Sequence, residues 1–244
     1  LAHVAYERTL KKFNDKNIIF YHIHNPDVYT QLNLIQSDPK SNWIMMVREP
    51  IQSCESWLRY CFNNNDHQVC TLRITKMLIE INNIVYKKNK SIGVRLEDIK
   101  NHPQKTIPIL CKWMGIQEHK NLYEMTMQGE KWWGDPTSPD YSDDGMNPFG
   151  NKSVKRKIGA ILSENDQFIL STFFYPFSVK FGYVKNNFEK FKKDLQKVKP
   201  MIDQIFDFEK IIISRTNQNI DSFMMSGSYT YLRSILKDRW SVLN

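Results

Sequence analysis

The chain has 244 residues, of which 41% are hydrophobic and 13% aromatic, enough to bury a core and to exclude wholesale disorder. Ten Pro and nine Gly exclude collagen-like and low-complexity architectures, and no apolar run reaches the length of a bilayer-spanning helix. Thirty-four Lys and Arg against 26 Asp and Glu leave a formal charge of +8, which suits either a polyanionic partner or a solvated basic surface.

In chain order, residues 1–16 carry charges throughout and read as neither a signal nor a transit peptide. The chain opens on Leu1 and is expected to be processed, truncated or partial. Residues 17–23 (NIIFYHI), 42–47 (NWIMMV) and 91–96 (SIGVRL) are β-rich, nearly continuous apolar runs, as expected of strands buried on both faces. Between the second and third, residues 51–88 read as a long helical segment, with Leu72, Ile74, Met77, Leu78, Ile81, Ile84 and Val85 at helical spacing. Strand, helix, strand is a parallel crossover, so the predicted fold class is α/β.

After the third strand, Glu97 and Asp98 lead through Asn101 and Pro103 into a helix at 104–114, closed by Gly115. Residues 129–152, with Trp132 and Trp133, read as a long loop of the lid or binding type. A helix is predicted over 163–181, started by Ser163 and kinked or ended at Pro176. Residues 186–244 read as a helical C-terminal extension to a domain spanning 1–185, and their apolar and Lys-rich faces leave a homodimer open. Cys54, Cys61, Cys70 and Cys111 form no CxxC pair, and His67 with Cys70 lacks a second ligand pair. The expectation is therefore buried thiols in a reducing compartment, placing the protein in the cytoplasm with no metal.

Three clusters can carry chemistry. His24, in His24-Asn25-Pro26, follows the first strand directly and so lies at the carboxyl edge of the sheet, where open α/β sheets bind ligands. His22 falls on the same side but deeper. Arg48 ends the second strand and Ser56 follows on the next helix, which suits a phosphate clamp of guanidinium fork and hydroxyl. An ion pair of Arg48 with Glu49 or Glu97, and a solvent-facing Ser56, is the plain alternative. Lys155, Arg156 and Lys157 form a cation triplet that is relieved by an anion or by open solvent.

In this order and spacing the pieces resemble the sulfotransferases that use 3′-phosphoadenosine 5′-phosphosulfate. His24-Asn25-Pro26 is similar to the family's strand-end His-x-Pro, whose His is the general base. Val47-Arg48-Glu49-Pro50 through Ser56-Trp57 resembles its Arg-x-Pro and Ser-Tyr stretch, whose Arg and Ser hold the donor's 3′-phosphate. Leu96-Glu97-Asp98-Ile99, Pro103 and Trp113-Met114-Gly115 resemble its Tyr-Glu-Asp-Leu, Pro and Phe-Leu-Gly region. Residues 153–159 resemble the late Arg-Lys-Gly segment, and Phe181-Gly182-Tyr183 a frequent ending of bacterial members.

The resemblance implies a P-loop-NTPase-like parallel sheet flanked by helices, metal-free sulfuryl transfer and a 3′-phosphate grip of Arg48, Ser56, Lys155, Arg156 and Lys157. Trp132 and Trp133 would face a carbohydrate or small-molecule acceptor. There are two departures from the family. No Gly-rich phosphate loop precedes His24, and Leu96 stands where many members carry Tyr. The alternatives are a sulfotransferase-like binding module without catalysis and, ranked last, a basic nucleic-acid binder.

Overall fold

A computed structural model of the chain describes residues 41–82, 90–124, 149–150 and 157–244, with residue 36 and the backbone of 126–127 and 130–131. The predicted strand at 17–23, His24, Trp132, Trp133, Lys155 and Arg156 lie outside the described residues. The chain divides into Leu1–Ser41 and Asn42–Asn244, and the architecture below is that of the second unit.

Strand β1 (Trp43–Val47) and strand β2 (Ser91–Arg95) pair in parallel, from Trp43 opposite Ser91 to Val47 opposite Arg95. The predicted crossover is therefore present: among the described residues, which are mostly helical, the two strands form a small parallel sheet, so the chain is α/β. β1 is less buried than its apolar run suggests. Val47 is buried, but Ile44 and Met46 are 38% and 52% exposed, so one face of the strand carries apolar side chains to the surface.

The helical stretch after β1 is two helices, α1 (Pro50–Asn63) and α2 (Cys70–Glu80), rather than one. The break falls at Asn63-Asn64-Asn65-Asp66. Asn65 takes a left-handed conformation with φ 55°, and the Asp66 N–H turns back to the Cys61 carbonyl at 2.8 Å. Asn and Asp accept the left-handed region and compete with the helix for backbone hydrogen bonds, so apolar periodicity alone does not carry the helix through them.

Helices α3 (Leu96–Asn101) and α4 (Pro103–Met114) follow β2. α4 starts on Pro103 and stops at Gly115 with φ 72°, as the sequence predicts. A short antiparallel pair, β3 (Thr126–Met127) and β4 (Glu130–Lys131), comes next. Helix α5 (Glu164–Phe173) is capped by Ser163, whose hydroxyl accepts the Asp166 N–H at 3.0 Å while Asp166 accepts the Ser163 N–H. The helical stretch breaks at Phe174, just before Pro176, as expected. Pro176 sits in the first turn of α6 (Tyr175–Lys180), a position where proline's missing N–H is harmless.

Residues 186–244 form α7 (Phe188–Val198), α8 (Asp207–Thr216), α9 (Ile220–Met224) and α10 (Gly227–Leu243). Their apolar residues share one core with the α/β part. Leu58, Ile74 and Leu78 of α1 and α2 join Leu170 and Phe173 of α5 and Phe208, Leu232 and Leu236 of α8 and α10.

Two buried carboxylates stitch this core. Asp166 also accepts the Asp207 and Phe208 N–H groups at 2.9 Å, so one side chain caps α5 and starts α8. Glu209 pairs with Arg233, which lies over the Tyr229 ring 3.9 Å from its centroid.

Candidate functional site

The carboxyl ends of β1 and β2 release two acidic segments side by side, Arg48-Glu49 and Leu96-Glu97-Asp98. Parallel pairing in register makes this inevitable, because both strands end at the same edge of the sheet. The Glu49 N–H donates to Glu97 Oε1 at 3.0 Å, and the Tyr183 hydroxyl donates to Glu97 Oε2 at 2.9 Å. Arg95 grips Asp98 through Nε and Nη2, both at 2.7 Å, and its Nη1 donates to the Phe181 carbonyl at 3.3 Å. The segments 47–50, 95–98 and 181–183 thus meet at one edge, Glu97 and Tyr183 being 86 positions apart in sequence.

Gly93 is what lets Phe181 approach. A Cβ there would lie 2.2 Å from Phe181 Cε1, closer than any real contact, so only glycine admits the ring onto the strand. The chain then turns through Gly182 at φ 70° and delivers Tyr183 to Glu97.

Glu49 has a second role. Its Oε2 accepts the Gln52 N–H at 2.6 Å, capping α1. Burial pushes its carboxyl above the ordinary glutamate value, Glu97 adds to the shift, and hydrogen bonds from the α1 amides together with the Arg48 charge oppose it. The start of α1 is therefore occupied by the chain's own carboxylate. An anion near this helix would have to be held by side chains and not by the helix end.

Arg48 is half-buried between β1 and α1. Ser56 is half-buried on α1, and its hydroxyl makes no hydrogen bond among the described residues. Lys157, the described member of the basic triplet, is exposed, but its backbone is held: Arg59 Nη2 donates to the Lys157 carbonyl at 2.7 Å.

The residue that decides this arrangement is Glu55, which motif reading passes over. It is 1% exposed, and its carboxylate accepts the N–H groups of Ala160, Ile161 and Leu162 at 3.0 Å and of Gly159 at 3.4 Å. Gly159 has φ 94°, the left-handed conformation that begins this run of converging amides. Glu55 and Arg59, one helical turn apart, together fasten residues 157–162 onto α1 beside Ser56. The sequence does hold a signal for Glu55: an acid on the apolar stripe of Ile51, Leu58 and Phe62 must be satisfied by something buried with it.

Next to Ser56, Trp57 is partly exposed, with the Arg73 guanidinium 4.3 Å from its ring centroid and Tyr60 packed edge-on at 6.1 Å. All four cysteines are buried free thiols. Burial pushes the Cys54 thiol well up and the Cys70 thiol up to about 12. Among the described residues no cluster of His, Cys, Asp and Glu could hold a metal, and no helix is long and apolar enough to cross a membrane.

No protein-family model, curated protein or solved structure matches this chain.

Proposed function

We propose that the chain is a sulfotransferase that moves a sulfuryl group from 3′-phosphoadenosine 5′-phosphosulfate to a hydroxyl or amine of a carbohydrate or small-molecule acceptor. The reading implies the finer fold as well, a P-loop-NTPase-like sheet of which β1 and β2 are two strands. The observation that carries it is the attachment of residues 157–162 to α1 by Glu55 and Arg59. That attachment supports a common grip in which Arg48, Ser56 and the triplet Lys155, Arg156 and Lys157 hold the donor's 3′-phosphate.

The side chains suit a phosphate: a guanidinium fork, a half-buried hydroxyl with no hydrogen bond among the described residues, and Lys157, whose backbone is held to α1. The bound donor supplies the activated sulfuryl group. His24 would take the acceptor's proton, and Trp132 and Trp133 would offer aromatic faces to the acceptor. Four buried thiols suit a reducing compartment, so we place the protein in the cytoplasm.

The test is calorimetric titration with adenosine 3′,5′-bisphosphate. Wild-type chain should bind it, and Arg48→Ala should lose roughly 1.5–3 kcal/mol of binding, the scale of a hydrogen bond to a charged group. His24→Ala should lower turnover and leave bisphosphate binding largely intact. No binding to wild type overturns the reading. Binding without sulfuryl transfer to any acceptor would make the chain a sulfotransferase-like binding module.

A further inference from the structure

A cleft of about 110 Å³ opens between α2, α6 and α10, lined by Ile81, Asn82, Pro176, Phe177, Lys180, Phe181 and Arg239. Arg239 is 8% exposed, its Nε is buried with no hydrogen-bond partner, and it makes no ion pair among the described residues. Six positions earlier on the same helix, Arg233 is buried to a similar degree and has Glu209 as its counter-charge. The two arginines thus make a natural comparison: Arg233 is neutralised by Glu209, whereas Arg239 has no counter-charge among the described residues.

Burying a guanidinium without a partner costs several kcal/mol in real proteins, and folds keep such a group where something else completes it. Burial disfavours the charge of the Arg239 guanidinium, and no carboxylate among the described residues pairs with it. Lys180 adds a second cation to the rim of the cleft, with its ammonium also 5.6 Å from the Phe181 ring centroid.

From this geometry we propose that the cleft is a binding site for a small monocarboxylate with a short branched apolar body. The planar guanidinium fork matches a carboxylate in two parallel hydrogen bonds. Ile81, Pro176 and Phe177 provide the apolar wall for the body, whereas a strongly hydrated phosphate or sulfate would leave that wall in contact with nothing it can use. The size agrees: an apolar cavity of about 150 Å³ encloses benzene, so the present cleft takes a chain of four or five carbons. The site is distinct from the proposed sulfuryl donor grip and does not rest on it. Phe181 borders both regions, because the ring that lines the cleft also covers Gly93.

Isovalerate is the probe, followed by nuclear magnetic resonance titration of the intact chain. Saturable binding is expected, with isovaleramide, which has the same shape and no charge, about tenfold weaker or worse, since a tenfold loss corresponds to about 1.4 kcal/mol. Arg239→Met should lose isovalerate to the same degree. Should that variant fail to fold, the comparison of acid with amide on wild-type protein decides alone. Equal affinity for acid and amide, inorganic sulfate displacing isovalerate at matched concentration, or no saturation by about 50 mM isovalerate would each overturn the proposal.

Discussion

Glu55 accepts the Leu162 N–H at 3.0 Å across 107 positions of sequence, and through that bond and its neighbours a loop becomes part of the α1 surface. The carboxylate satisfies a run of four amides, of which that of Leu162 is fully buried and the others partly so. Removing it should be costly for that reason: Glu55→Ala should lower unfolding free energy by about 2–4 kcal/mol, since amides left without acceptors carry their full desolvation penalty. Glu55→Gln should recover only part of this, because an amide nitrogen would face other donors. Urea denaturation measures both, and a loss below about 0.5 kcal/mol for Glu55→Ala would mean that water replaces the carboxylate.

Gly93→Ala should destabilise by about 1–3 kcal/mol, the range for a methyl forced into a packed site. The new Cβ would meet the Phe181 ring at 2.2 Å, and Phe181 is held in turn by Phe177, 4.6 Å away between ring centroids. Shortening the ring position should relieve it. Gly93→Ala combined with Phe181→Leu is expected to be less destabilised than the sum of the single changes, which a double-mutant cycle on melting temperatures would detect.

The Glu49 carboxyl binds its proton more tightly folded than unfolded. Between the unfolded and folded values the native state therefore holds more protons, and stability falls as pH rises through that interval. Glu49→Gln removes this dependence while keeping an acceptor for the Gln52 N–H. Melting curves between about pH 4 and 7 should show wild type losing ground to Glu49→Gln as pH rises. A constant difference across the range would assign the titration to other groups.

Thiol chemistry should report global unfolding. With Cys54, Cys61, Cys70 and Cys111 buried and the Cys70 thiol pushed up to about 12, thiolate is scarce in the native protein at neutral pH. An aromatic disulfide reagent should label the native chain slowly and all four cysteines promptly in denaturant. Fast labelling of any one under native conditions would reveal local opening around α1, α2 or α4.

Much of the local structure is legible in the residues themselves. Pro103 and Gly115 mark α4, Ser163 and Asp166 start α5, and the apolar runs at 42–47 and 91–96 become paired parallel strands. These signals are read within a turn or a strand, where steric limits and capping bonds act over a few residues. The interruption between α1 and α2 was equally local, written in the Asn run, but apolar periodicity masked it.

What tertiary structure alone decides is who satisfies whom. Nothing in the order of residues says that Glu55 takes the amides of 159–162, that Tyr183 reaches Glu97, or that Arg233 has a carboxylate while Arg239 has none among the described residues. Each is a contact between distant segments, set by how helices pack around one core and by the demand that buried polar groups find partners. Residue type proposes the chemistry of Arg48 and Ser56, while the folded chain chooses what stands beside them.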